Sequence, residues 1–245
     1  IGARPPHVID RPATLDVSTT AVDLGVSTEA QARDLVAIGD PIVLEGPLVR
    51  LAGDAICGRA LDNRINAAVA LELLRRVAGA GAGDAVAAEV VAYFTVREES
   101  AAYGGARVAV GTLDPDMAVV LETCLASDTG VEGIGDLISD APIGAGTTVA
   151  RGAALDERLT AAVRARLEAA GVRHTLLAAG DDSFTDAEGI YESATGVPVA
   201  LLSIPVRHIH TPVETVSLGD AVEQCRAMLA LIADPPPLSD VRAGA

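Results

Sequence analysis

The sequence predicts an α/β fold: a mixed, mostly parallel sheet flanked by helices, with part of a small β-rich module in front. Short continuous apolar runs, VVAYFTV (90–96), MAVVL (117–121) and the run from Val197 to Ile204, read as strands buried on both faces. Amphipathic stretches alternate with them, as a sheet covered on two sides requires. Residues 1–53 lack that alternation and read as a separate unit.

In chain order, residues 1–53 carry the apolar runs TLDV and PIVLEGPLVRL, broken by Pro, Gly and Asp. They hold one expected helix, opened by Ser27 or Thr28 and running through EAQARDLVAIG to a glycine stop. This is the expected remainder of a β-rich module of the oligomerisation type. Residues 54–238 are expected to form the α/β catalytic domain. Its first helix spans Arg64–Ala78, with Ile65, Ala68, Val69, Leu73 and Val77 on one stripe and Asp62 or Asn63 as cap. GAGAGD (79–84) is a flexible loop; no Gly-Lys follows it, so it is not a phosphate cradle. Then come strand 90–96, a helix after Gly104, strand 117–121, helix Asp156–Ala170 ended by Gly171, strand 197–204, and helix Leu218–Ala233 capped by Ser217. Pro235–Pro237 close the structure, and residues 239–245 are expected to fray.

Composition removes several functions. A net charge of −16 opposes nucleic-acid binding, because phosphate contacts need a basic face. All 18 basic residues are arginine, which excludes a lysine Schiff base, a Ser–Lys dyad and a P-loop lysine. Cys57, Cys124 and Cys225 form no Cys-x-x-Cys and read as reduced, mostly buried residues of a cytoplasmic protein. No apolar run is long enough to span a membrane, and the first residues do not read as a signal peptide.

Chemistry concentrates at Glu98 and Glu99, adjacent carboxylates where an expected strand gives way to the small residues Ser100, Ala101, Ala102, Gly104 and Gly105. Asp62 opens a helix, Glu122 interrupts an apolar strand end, and His210 follows the last core strand. Ligands in such sheets bind at the carboxyl ends of strands, so these residues are expected to converge. Four oxygen or nitrogen ligands plus a candidate base suit metal-assisted hydrolysis. His208 and His210 are two apart and would point the same way on an extended segment.

The pieces RALDNR, FTVREE, LETCLASDTG, FTDA and PVRHIHTPVE resemble, in order and spacing, the tetrahedral (glutamyl-type) aminopeptidase family of dinuclear zinc peptidases. The resemblance implies two divalent metal ions, zinc first, with cobalt and manganese compatible, sharing Asp62 as the bridging ligand. Glu99, Glu122 and His210 are the further implied ligands, and Glu98 the general base acting on the bridging water. No separate organic cofactor is implied. Asp128 and Asp186 match motifs near the site without a firm role, and His208 is not carried over as a ligand. The expected activity is removal of N-terminal residues from short peptides by a homo-oligomer that binds neither nucleic acid nor membrane. The family's first ligand, a histidine in a His-x-Asp motif, has no counterpart here; His7 and His174 do not match it. The chain is therefore expected to begin within the family's inserted module and to offer each metal only two ligands. Two other readings stand beside this one: an impaired remnant of the fold serving as an oligomeric scaffold, and a related metal-dependent deacylase or carboxypeptidase.

Overall fold

A computed structural model describes residues 21–79, 86, 88–100, 103–129, 140–193 and 196–241. The run TLDV, His7, the loop GAGAGD beyond Gly79, Ala101, Ala102 and residues 242–245 lie outside them. The chain divides into two compact units, Ile1–Leu44 and Glu45–Ala245.

In the smaller unit, helix α1 (Glu29–Arg33) starts from a capping box: the Thr28 side chain accepts from the Gln31 N–H, and the Gln31 side chain reaches back to the cap. An Arg33–Glu29 ion pair crosses its single turn. None of its residues is buried, so no packing extends it to the expected glycine stop.

The larger unit holds two sheets among the described residues. The smaller sheet pairs β1 (Val49–Arg50), β2 (Ala55–Gly58) and β7 (Glu214–Ser217) antiparallel, in the order β1-β2-β7. The expected division after residue 53 falls inside its first hairpin, where Val49 faces Cys57 and Arg50 faces Ile56. The larger sheet is mixed, in the order β3-β6-β4-β5: β3 (Ala118–Leu125) with β6 (Val199–Val206) and β4 (Thr147–Gly152) with β5 (His174–Gly180) run parallel, while β4 and β6 run antiparallel.

Every residue of β6 is buried, and its alternation shows why. Ala200 and Leu202 pack with Leu159, Val163 and Leu167 of α4 (Glu157–Ala169) and Ala227 and Leu231 of α6 (Leu218–Ala233). Val199 and Leu201 face the other way, toward Ala106 and Val110 of α3 (Gly104–Leu113) and Ala187 and Ile190 of α5 (Asp186–Tyr191). A third cluster seats Ile65 and Val69 of α2 (Leu61–Gly79) on Ile56, Ile204 and Val216. The mixed sheet flanked by helices is thus as expected.

Two expectations fail. Residues 90–96 form no strand: they have no ladder partner among the described residues, and Val91, Tyr93, Phe94 and Val96 are exposed. Apolar β-branched and aromatic residues favour a strand only where neighbours cover them. The tail does not fray at residue 239. Leu238–Val241 form a short helix, α7, and Val241 is buried against the α4–α6 cluster.

Candidate metal centre

Asp62 lies at the front of α2, where the backbone is not yet helical: Asp62 and Asn63 have φ/ψ of −78/107 and −117/38. The helix proper starts after them, which leaves the Asp62 side chain free to turn into the site. The Thr123 hydroxyl donates to Asp62 Oδ1 at 3.0 Å. The other oxygen, Oδ2, lies 3.1 Å from His210 Nε2, and Glu99 Oε2 lies 3.5 Å from that same nitrogen. One ligand atom from each of Asp62, Glu99 and His210 fits within a span of 4.8 Å.

Two oxygens and one nitrogen this close suit a divalent cation bound by three protein ligands with a position left open. The donor set also suits one electrostatically. Burial holds the Asp62 carboxyl above its usual range, and the Glu99 charge adds to that. The resemblance implies two ligands per metal; in the structure ligand atoms of three candidate residues lie around one point.

Glu122 sits within β3, opposite Ser203 of β6, and not at a strand end. It is buried and lines the same cleft but stands outside the three-residue cluster. The Asn63 amide donates to its Oε1 at 2.5 Å, and the Thr123 N–H donates to the same atom at 3.0 Å. Behind it runs a buried polar chain. The Asn66 amide donates to the Glu122 carbonyl at 2.8 Å, Gln224 donates to Asn66, and the Thr147 hydroxyl donates to Gln224 at 2.5 Å. Burial pushes the Glu122 carboxyl up to about 8, against the pull of the Thr123 N–H.

Glu98 and Glu99 lie in one turn of 3-10 helix, Glu98–Ser100, entered through Arg97 at φ +64. That turn separates the adjacent carboxylates: Glu99 faces His210, whereas Glu98 is half-buried on the wall of the cleft. Burial first, then the charges of Glu99, Asp186 and Asp62, push Glu98 up to about 7. No ion pair ties it up among the described residues.

The cleft encloses about 560 Å3 and is also walled by Tyr103, Leu177, Asp182, Phe184 and Ile209. Asp186, 6% exposed, has Oδ1 without a partner among the described residues, while Thr95 bonds the carboxyl. Asp128 is committed elsewhere, to Arg207 and to the Ile143 N–H at 3.3 Å. His208 is exposed and stays out of the cluster. With His208 at φ +57 and His210 at φ +61, the segment is not extended, so spacing of two does not align their side chains.

Two residues at the centre escaped the sequence reading. Thr123 and Glu214 each bind a candidate ligand. Glu214 stands four residues after His210, at the end of PVRHIHTPVE, and its place in that motif was its only signal.

The model of the M42 glutamyl aminopeptidase family matches residues 1–228. The chain belongs to this family. A relative from Acetivibrio thermocellus is 29% identical over 215 residues, covering 84% of this chain and 59% of its own. The lysyl aminopeptidase of Pyrococcus furiosus is 23% identical over 243 residues, covering 97% and 67% respectively. Among solved structures, an aminopeptidase from the archaeon Desulfurococcus kamchatkensis superposes with a TM-score of 0.81 at 22% identity, over 98% of this chain and 66% of that one. A TET aminopeptidase from a marine sediment Thaumarchaeota archaeon gives 0.75 at 28% identity, over 95% and 66%. This M42 chain therefore spans about 60% of the length of the curated relatives it matches first.

Proposed function

We propose that this M42 protein is a metal-dependent aminopeptidase that removes N-terminal residues from short peptides. The observation that carries the reading is the convergence of Asp62, Glu99 and His210 within 4.8 Å, on a cleft where Glu98 is held near neutrality. Asp62, Glu99 and His210 would hold one divalent ion, and Glu122 with the shared Asp62 would contribute to a second. When bound, such ions lower the pKa of a water and polarise the scissile carbonyl. Zinc fits these donors first; cobalt and manganese are compatible.

Glu98 is matched to proton transfer. A base whose pKa lies near the working pH both takes and returns a proton efficiently. Glu98 takes the proton of the attacking water and returns it to the nitrogen of the leaving amine. Glu99, one residue on, is turned away and serves as ligand. A free substrate amine needs an acidic partner; Arg207 already occupies Asp128, and Asp186 is buried, whereas Asp182 lines the cleft.

The same reading extends to assembly and location. One neighbouring structure is described as a dodecamer, and another peptidase as assembling into a tetrahedron or a large octahedral shell. We expect this protein to form a homo-oligomer through the module to which residues 1–53 contribute, and to work in the cytoplasm. No helix among the described residues is long and apolar enough to cross a membrane.

The test uses the metal-free protein, titrated with zinc and assayed on unblocked and N-acetylated peptides. Zinc-dependent release of N-terminal residues from the unblocked peptide alone is expected. Equal cleavage of the blocked peptide would indicate a deacylase or endopeptidase instead. Zinc uptake lost in Asp62→Ala is the companion result.

A further inference from the structure

Glu214 is 3% exposed and opens β7, opposite Gly58 at the end of β2. Its two carboxylate oxygens have different partners. The Asp62 N–H donates to Oε2 at 3.0 Å, and the His210 N–H donates to Oε1 at 2.9 Å. One side chain thus joins the backbones of two candidate ligands that are far apart in the sequence. Both backbones need such a fixture. Asp62 precedes the helical part of α2, and His210 sits at φ +61 in a loop, so neither position is set by a regular ladder. From the proposed metal-binding role of Asp62 and His210, we infer that Glu214 is a positioning residue that sets the spacing of these two ligands through their N–H groups, without touching the ion itself.

The chemistry asks for a carboxylate. Two N–H donors meet two acceptor oxygens, and the negative charge is balanced by hydrogen bonds that strengthen in a buried site. Glutamine keeps one acceptor and turns an NH2 group toward the other N–H. Aspartate is one methylene too short to keep both reaches. Partners that orient ligands in this way typically change metal affinity by about 10–100-fold when removed.

The test compares the whole protein with Glu214→Gln and Glu214→Ala. Zinc affinity by chelator competition is expected to fall about tenfold in Glu214→Gln and about 100-fold in Glu214→Ala. In the metal-free proteins, amide exchange at Asp62 and His210 is expected to accelerate in both variants while exchange in α4 and α6 is unchanged. A role in general stability alone would instead lower the unfolding midpoint and speed exchange throughout. Wild-type zinc affinity in Glu214→Gln, with unchanged exchange at both amides, overturns the inference. If the wild-type protein takes up no zinc, the metal reading fails by itself. The exchange data on metal-free protein then decide the clamp: faster at the two amides supports it, unchanged overturns it.

Discussion

Asp62 shows how one side chain is divided between support and chemistry: Thr123 holds one oxygen, and the other is left toward His210. Glu98 and Glu99 are divided by a single turn into a near-neutral acid and an exposed donor. On the proposed mechanism, Glu98→Gln removes the base but no ligand, so zinc content is expected to stay while kcat falls by about 10²–10⁴-fold, measured on zinc-loaded protein. Near-normal turnover would assign the proton to another group. Glu122 carries a pH signature. Burial pushes its carboxyl up to about 8 in the folded, metal-free protein, above the ordinary 4.5. The folded state therefore binds the proton more tightly than the unfolded chain, and the associated stability is full below pH 4.5 and lost as pH rises through about 8. The metal-free protein should melt at steadily lower temperature across that window in scanning calorimetry. Glu122→Gln should flatten the slope, though not abolish it, because Asp62 and Glu98 are shifted in the same direction.

Elements hold the site through their ends. Helix α6 starts at Ser217, whose hydroxyl accepts from the Asp220 N–H and donates to Asp54 at 2.8 Å. Asp220, fully buried, then accepts from the N–H groups of Gly144 and Gly146 at 2.7 Å each and fixes the turn into β4. Gly146 lies at φ +105, and a Cβ there would come within 2.0 Å of the Arg173 carbonyl oxygen. Gly146→Ala is expected to cost about 1–3 kcal/mol from backbone strain alone, read by urea unfolding, with the clash adding to it. Ser217→Ala removes a cap and should cost about 1 kcal/mol by the same measurement. The segment 90–96 illustrates the opposite case. Its residues have the composition of a strand, but with no ladder partner among the described residues it forms none and stays largely exposed.

Across the whole molecule, the two sheets and the flanking helices bring together residues from three distant stretches: 62, 98–122 and 210–214. The candidate ligands are unevenly placed. Three surround one point, whereas Glu122 stands apart, hydrogen-bonded to Asn63 and Thr123. The 245-residue chain is therefore expected to retain one zinc ion per chain after dialysis, measured by elemental analysis, with any second ion readily removed. Two tightly held ions would show that a further residue completes the second site.

The sequence by itself determined the α/β class, the cap at Ser217 and the family, because each depends on local chemistry: periodicity, a capping side chain, short motifs in order; the same motifs named the five candidate site residues. β6 and its two apolar faces were legible from a continuous apolar run for the same reason. Tertiary structure alone decided the rest. Whether VVAYFTV becomes a strand depends on a partner that local propensity does not encode. Whether His208 joins His210 depends on two left-handed residues that break the extended spacing. The closeness of Asp62, Glu99 and His210 comes from tertiary structure, as does the reach of Glu214 from β7 to both Asp62 and His210, which the antiparallel pairing of β2 with β7 brings to one place.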